Sequence, residues 1–153
     1  MSTVHGTAGR MPPDVLAHLE RHHVMTLSSS SFTGMPHADT VLYTHDARRI
    51  YFFAEAGSPL RRNVDDSRWV SFTVDDYTVD WRKVRELRGT GQCEPAAAAR
   101  AADVWLMYLT KFGPGFTLPA GTLYVITPRQ PRFVTHHPAL AGAREIRQTF
   151  QEP

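Results

Sequence analysis

The amino-acid sequence predicts a single α+β domain in which six to seven antiparallel strands close as a small barrel with helices at its periphery. Short segments rich in β-branched and aromatic residues recur along the chain, as expected of strands in a small antiparallel fold. One of them, residues 69–75, alternates apolar and polar side chains, which indicates a strand with one buried face. Three or four helical patterns lie between these strands, which favours an α+β barrel.

Proline and serine residues mark the starts of the predicted helices. Pro12 and Pro13 suit the first turn of a helix, where a missing backbone N–H costs nothing. Ser58 is a suitable N-cap for a short helix that begins at Pro59. Pro95 precedes an alanine-rich stretch with apolar residues at helical spacing. The predicted helices open at residue 12, cover residues 58–65 and 95–112, and include a short one from residue 143 onward.

Turn-forming residues separate the predicted strands. The polar turn at residues 45–48 predicts a hairpin between the two strands that flank it. Gly89 and Gly91 interrupt a long strand and predict a bulge or a bend there. Residues 128–131, bounded by two prolines, predict a turn between the last two strands. The predicted strands cover residues 23–28, 39–44, 49–54, 69–75, 81–94, 121–127 and 132–135.

The composition predicts a soluble cytoplasmic domain with neither nucleic-acid nor membrane partners. The formal net charge is +2, and Glu86 interrupts the densest basic run, residues 82–88. No segment approaches the ~18 unbroken apolar residues of a membrane helix. Cys93 is the only cysteine, which excludes an internal disulfide and makes a reducing cytoplasm the expected setting. We expect residues 1–11 to be a flexible arm and residues 12–153 to be the domain.

The segment from residue 49 to residue 75 has the pattern of an anion-binding corner. It predicts a strand, a glycine turn, a short helix and a second strand, with Ser58, Arg61 and Arg62 gathered at the helix start. A helix N-terminus beside cations favours an anionic group such as a cofactor phosphate. Each of these residues has two possible roles. Ser58 is either a phosphate ligand or an ordinary N-cap. The two arginines either donate to an anion or lie on a solvated helix face.

Eight short segments, in this order and spacing, carry a family resemblance over residues 12–135. They are residues 24–27 (VMTL), 33–37 (TGMPH), 40–43 (TVLY), 50–53 (IYFF), 57–58 (GS), 62–64 (RNV), 69–74 (WVSFTV) and 87–91 (LRGTG). Together they resemble the pyridoxamine 5'-phosphate oxidase-like family of FMN-binding split barrels. The resemblance implies an antiparallel split β-barrel that forms a homodimer and binds its flavin at the subunit interface.

The chain departs from that family where the flavin phosphate is held. The family's serine-arginine-lysine helix start becomes Ser58-Pro59-Leu60, and two further cation positions carry Asp39 and Thr44. A partly buried phosphate needs charge-assisted donors, so the loss of several cations weakens the site strongly. The resemblance therefore predicts the fold more firmly than the cofactor.

The resemblance implies an FMN-dependent oxidoreductase that acts on a small molecule, with the redox chemistry supplied by the flavin. The alternative is a split barrel that has lost FMN and binds a deazaflavin or haem, or serves as a non-redox small-molecule-binding protein. No catalytic residue is assigned. The expected cofactor contacts are Ser58, Arg61 and Arg62 at the phosphate, and Thr40, Tyr51, Phe53 and Glu55 along the ring.

Histidines raise the further question of a metal or haem site. His18 and His22 lie one helical turn apart, which is a usable ligand spacing for zinc. No neighbouring cysteine or carboxylate completes the set, so we expect no metal site. His136 and His137 are either a source of an axial haem ligand or an ordinary surface pair.

Overall fold

The computed structural model describes residues 9–135, and they form a closed six-stranded antiparallel barrel with three α-helices. Around the barrel the strands follow the order β1-β2-β3-β6-β5-β4, and β1 closes it by pairing with both β2 and β4. The predicted α+β barrel is confirmed. The strands are β1 (Val24–Ser30), β2 (Pro36–His45), β3 (Ile50–Ala54), β4 (Trp69–Asp76), β5 (Arg85–Pro95) and β6 (Thr122–Thr135); the helices are α1 (Pro13–Arg21), α2 (Pro59–Ser67) and α3 (Ala101–Phe112).

Alternate strand residues fill the barrel, because successive side chains of a strand lie on opposite faces of the sheet. In β4, Val70, Phe72 and Val74 are buried, whereas Trp69 and Ser71 are exposed, as the alternation predicts. Helices α1 and α2 add apolar side chains to the same core. The helical contributions are Val15, Leu19, Leu60 and Val64.

Helix α2 begins as the sequence predicts and closes one end of the barrel. Ser58 is its N-cap and Pro59 its first residue. Asn63 is buried and donates from Nδ2 to the Ser29 hydroxyl at 3.1 Å, which ties the helix to β1. The helix ends at Arg68, whose left-handed backbone (φ 60°) directs its N–H to the Val64 carbonyl.

Helix α3 covers the outer face of the sheet around β3. Tyr51, Val104, Tyr108 and Val125 form a second buried cluster beneath it. The Tyr108 hydroxyl donates towards the backbone carbonyls of Leu42 and Tyr51, at 3.0 and 3.1 Å. This cluster is separate from the barrel interior and fixes α3 against the sheet.

The prediction of two strands separated by a turn at residues 128–131 is wrong, because β6 runs continuously from Thr122 to Thr135. It pairs with β3 only as far as Ile126, whereas it pairs with β5 along most of its length. Beyond Ile126 one edge of β6 therefore has no strand partner among the described residues. Prolines lack a backbone donor and are tolerated at such an edge, so Pro128 and Pro131 do not end the strand.

Two other predicted boundaries are too early. Residues 81–83 form a 3-10 turn in which the Lys83 N–H donates to the Asp80 carbonyl at 2.9 Å, so β5 starts at Arg85. Pro95 is the last residue of β5 instead of the first of a helix, and α3 begins at Ala101. The bulge or bend predicted at Gly89 is confirmed. The pairing of β5 with β6 shifts register between Arg88 and Thr90.

The predicted N-terminal arm is described only from residue 9, and its last residue packs against the barrel. Met11 is 4% exposed within the core, and its N–H donates to the Ala47 carbonyl at 2.9 Å. The terminal helix expected from residue 143 and the pair His136–His137 lie outside the described residues. Between residues 9 and 135, no helix has the length and apolar character needed to cross a membrane.

Candidate functional site

The start of α2 holds four of the expected cofactor contacts, and three of them already bond within the corner. The Ser58 hydroxyl accepts the backbone N–H of Arg61 at 3.2 Å, which is the bond of an N-cap. Arg62 donates from Nη1 to the Gly57 carbonyl at 2.6 Å. Glu55 is exposed, and its carbonyl accepts the Ser58 N–H at 3.2 Å.

The Arg61 side chain faces a carboxylate one helical turn away. Its Nε lies 3.9 Å from Asp65 Oδ2, and Asp65 also accepts a hydrogen bond of 2.6 Å from the Tyr124 hydroxyl. Burial, with help from Asp65, raises the pKa of Tyr124 to about 12, so this hydroxyl keeps its proton at neutral pH. Arg61 is therefore partly neutralised where the sequence suggested a phosphate donor.

The positions at which the resemblance expects cations carry no positive charge in the structure. Leu60 and Thr44 are 4% and 3% exposed, so both side chains are part of the packed interior. Pro59 supplies neither charge nor donor. Asp39 places Oδ2 2.9 Å from His37 Nε2, so this position holds an acid paired with a histidine. A carboxylate therefore occupies a position at which the resemblance expects a cation.

Tyr51 and Phe53 lie on the opposite side of β3 from the barrel interior, beneath α3. Tyr51 is 1% exposed, and its hydroxyl donates to Asp46 Oδ2 at 2.8 Å. Phe53 packs against Tyr108, with 5.6 Å between ring centroids. Strand alternation directs Tyr51 into the α3 interface, and its expected place beside a cofactor ring stays a prediction.

Thr40 lies on an outer face of the barrel that is rich in hydroxyl groups. Pairing aligns β2, β1, β4 and β5 so that small polar side chains form two neighbouring rows across the sheet. Such a face is flat and polar, and it has many groups that can both donate and accept hydrogen bonds. The rows are Thr40–Thr26–Thr73 and Ser28–Ser71–Thr90.

A cleft of about 280 Å³ opens on this face. Four of its seven lining residues offer a hydroxyl group on this face, whereas Ser29 is buried and its hydroxyl bonds to Asn63; Trp69 supplies the aromatic surface of the cleft. The lining residues are Ser28, Ser29, Ser30, Trp69, Val70, Ser71 and Thr90. These residues were not among the contacts expected from the sequence, because a run of serines favours a turn. The outward alternation of Trp69 and Ser71 was the signal that could have identified them.

Trp69 and Arg129 bring an aromatic plane and a cation together at the cleft. Trp69 is 46% exposed, and the guanidinium carbon of Arg129 lies 5.0 Å from the ring centroid. Arg129 pairs in register with Thr90, which lines the cleft. Arg88, on the same face, is instead held by Glu86 through two hydrogen bonds of 3.0 Å. Arg129 is thus a cation placed beside the cleft, where an anionic ligand could meet it.

Cys93 has the environment of a structural residue. Its side chain is fully buried in the core, and burial raises the pKa of the thiol to about 12. A thiol that stays protonated at neutral pH is a poor nucleophile. Cys93 is therefore a packed side chain of the core.

The family model for pyridoxamine 5'-phosphate oxidase matches residues 11–134, nearly all of the described chain. No functionally curated protein matches the sequence.

Solved structures of related architecture carry names that describe different functions. A putative pyridoxamine 5'-phosphate oxidase from Listeria innocua is 22% identical, with a TM-score of 0.61 over 78% of this chain and 94% of that one. The haem storage protein HutZ from Vibrio cholerae is 12% identical, with a TM-score of 0.67 over 83% and 95%. An F420 reductase is 21% identical, with a TM-score of 0.57 over 80% and 98%. At these identities the similarity shows the fold.

Proposed function

The chain belongs to the pyridoxamine 5'-phosphate oxidase family, and on that premise we propose that it is an oxidoreductase that binds a flavin-class cofactor, FMN or a deazaflavin. The proposed position of the cofactor ring is the cleft beside Trp69. The observation that carries the proposal is the combination found there: a hydroxyl-lined floor, an exposed indole and the guanidinium of Arg129. The substrate would be a small molecule.

The chemistry of this cleft suits a flat, polar ring system. An indole gives a stacking surface for a planar heterocycle. Serine and threonine hydroxyls can both donate to ring carbonyls and accept from ring N–H groups, so they can orient a flavin-class ring without a charged residue. A bound flavin or deazaflavin would supply the hydride transfer, and the side chains of this chain would position it and exclude water.

The anionic end of the cofactor would be held differently from the family pattern. Arg61 and Arg62 are engaged with Asp65 and Gly57, and Asp39 replaces a cation. We therefore assign the anionic tail to Arg129. This assignment also allows a deazaflavin, the cofactor that the name of the F420 reductase relative implies.

A homodimer is part of this proposal. Phe32 and Met35, in the turn after β1, are 90% and 69% exposed, and the turn follows directly on Ser30 at the cleft. Two large apolar side chains exposed in one turn beside a ligand cleft can form a patch that another chain covers. We propose that a second copy packs there and completes the cleft.

A second candidate function is haem binding or non-redox ligand binding. The His37–Asp39 pair at a family cation position favours it, because a carboxylate there opposes a flavin phosphate. The fold is shared with HutZ, whose name describes haem storage. In this alternative the cleft would bind a ligand without hydride transfer.

The test is a titration of the purified protein with FMN, with F420 and with haemin, followed by ligand absorbance and tryptophan fluorescence. We expect FMN or F420 to bind, and Trp69→Leu to weaken that binding about tenfold or more, the effect of losing one stacking surface of ~1.5 kcal/mol. Trp105→Leu is the matched control, because Trp105 is 47% exposed but lies on α3. A Soret band with haemin and no flavin binding would support the second candidate.

A series of arginine variants tests the position of the anionic tail. Arg129→Ala should weaken FMN or F420 binding by ~1.5–3 kcal/mol, the range for a hydrogen bond to a charged group. Arg61→Ala and Arg62→Ala should leave the affinity within about a factor of two. If Arg61→Ala or Arg62→Ala weakens binding and Arg129→Ala does not, the anionic tail binds at the start of α2, as the sequence alone suggested.

A further inference from the structure

His18, His22 and Asp76 form a cluster away from the proposed cleft. The two histidines lie on α1, and Asp76 is the last residue of β4, whereas Trp69 is the first. Seven residue steps separate the two ends of β4, about 23 Å at the usual rise of ~3.3 Å per residue. One nitrogen from each histidine and one carboxylate oxygen all lie within 4.8 Å of one another.

Hydrogen bonds fix which nitrogen each histidine turns towards Asp76. His18 Nε2 lies 2.8 Å from the Val74 carbonyl, and His22 Nδ1 lies 2.7 Å from the His18 carbonyl. A carbonyl only accepts, so each of these nitrogens carries a proton. In the neutral ring the other nitrogen then presents a lone pair. Backbone carbonyls that orient ligating histidines in this way are typical of metal sites.

The groups that meet at Asp76 are therefore electron-pair donors. His22 Nε2 lies 2.7 Å from Asp76 Oδ1, and His18 Nδ1 lies 4.0 Å from Oδ2. His18 is fully buried, and its Nδ1 has no hydrogen-bond partner among the described residues. An unpartnered polar atom at such depth is rare. A proton on His22 would satisfy one contact only, whereas a cation between the three groups would satisfy all of them.

The surroundings leave the carboxylate available and one side of the cluster open. Arg85 is opposite Asp76 in the strand register, but its guanidinium stacks over Phe133, 3.5 Å from the ring centroid. The side chains of His22 and Asp76 are 21% and 35% exposed. An ion can therefore reach the cluster from solvent and keep a water ligand there.

We propose that His18 Nδ1, His22 Nε2 and the Asp76 carboxylate bind a divalent transition-metal ion, with zinc as its natural occupant. Two imidazoles and a carboxylate are ligands that zinc accepts, with water in the fourth position. Tetrahedral zinc places its ligand atoms about 3.3 Å apart. Side-chain rotations would have to change the 2.7 and 4.0 Å nitrogen–oxygen distances by about 0.6–0.7 Å each, and the remaining separation, at most 4.8 Å, by up to about 1.5 Å, to reach this geometry. The ion would join α1 to the end of β4.

The test is zinc binding by the full-length protein, measured by calorimetric titration and by thermal unfolding. We expect one tight site in the wild type and a rise in melting temperature of about 5 °C or more in excess zinc. Cobalt(II) at the same site should give the visible absorption of a four-coordinate ion. His22→Ala and Asp76→Asn should each weaken zinc binding about tenfold or more, because even the loss of an outer partner costs 10- to 100-fold.

His37→Ala is the matched control, because His37 forms a histidine–carboxylate pair with Asp39 but has no second histidine in it. It should retain the tight site. Asp76→Asn keeps the size of the side chain and supplies the test if His22→Ala does not fold. The proposal is overturned if the wild type binds no zinc at micromolar concentration, or if His22→Ala and Asp76→Asn bind zinc as the wild type does. Equal loss in His37→Ala would also overturn it.

Discussion

Ser58 has a structural role that needs no ligand. Its hydroxyl accepts the Arg61 N–H, so it satisfies one of the donors that a helix N-terminus leaves unpaired. We expect Ser58→Ala to lower the free energy of unfolding by ~1 kcal/mol through loss of the cap. Ser58→Asp, which can still cap the helix, should restore most of it. Urea unfolding of both variants checks this.

The same two variants distinguish a role of Ser58 as a helix cap from a role as a phosphate ligand. If Ser58 acts only as a cap, Ser58→Ala leaves FMN or F420 affinity within about a factor of two, since capping and binding are then independent. Ser58→Asp would strongly weaken binding only if a phosphate sat at this corner, because the new carboxylate would repel it. Strong loss of affinity in both variants contradicts the cap-only role.

Lys111 is a buried cation that should give the protein a distinct pH dependence. Its Nζ donates to the Leu19 carbonyl at 2.9 Å and lies 3.7 Å from the Tyr43 ring centroid. Burial lowers the pKa of the ammonium group to about 8, below the value near 10.4 of an exposed lysine. Between these pH values the unfolded chain binds more protons than the folded one, so the free energy of unfolding rises with pH.

We therefore expect the wild type to gain on the order of 2 kcal/mol relative to Lys111→Met as the pH rises from about 8 to about 10. Below about pH 8 the Lys111 amine is protonated in both the folded and the unfolded wild type. The difference in free energy of unfolding between wild type and Lys111→Met should then be constant. Urea unfolding at a series of pH values measures this difference. A flat or falling difference across the window would contradict a lowered pKa at Lys111.

Strand β5 depends on a glycine at a close approach to its neighbour. A Cβ on Gly91 would lie 2.6 Å from Ile126 Cγ2 and 2.7 Å from the Thr127 carbonyl oxygen, and the second contact is with backbone. We expect Gly91→Ala to lower the free energy of unfolding by ~1–3 kcal/mol, the usual cost of overpacking. Gly115→Ala is the control, because nothing lies within 4 Å of its Cβ position. Equal stability of the two variants would contradict the close approach.

Local patterns allowed most elements to be predicted, because helix starts and strand alternation depend on neighbouring residues. The N-cap at Ser58 and the buried face of β4 are examples. The continuity of β6 through Pro128 could not be predicted, because it depends on which edge has a partner. The same holds for the late start of α3, because Pro95 remains in β5 through its pairing with Tyr124 of β6.

The candidate site was less predictable than the fold, because it is assembled from distant strands. Ser58, Arg61 and Arg62 were selected for their sequence pattern, yet the structure engages them within the helix and its turn. The cleft joins residues of β1, β4 and β5, and its Trp69 meets Arg129 of β6. Only the register of the closed barrel brings these side chains together.

Assembly of two copies is a prediction for the molecule as a whole. Phe32 is 90% exposed beside the cleft, and we expect the full chain to sediment as a dimer at micromolar concentration. Phe32→Asp should shift the population towards monomer, because a charge would be buried without a partner. Tyr77→Asp is the control, since Tyr77 is 92% exposed but lies beyond the far end of β4. A monomeric wild type would contradict the proposed interface.

The most direct test of the proposed function is the affinity of the purified protein for FMN and for F420, measured in the wild type, Trp69→Leu and Trp105→Leu. We expect micromolar or tighter binding of at least one of the two cofactors, a loss of about tenfold or more in Trp69→Leu, and unchanged binding in Trp105→Leu. A wild type that binds neither cofactor, or a Trp69→Leu variant that binds as tightly as the wild type, would contradict it.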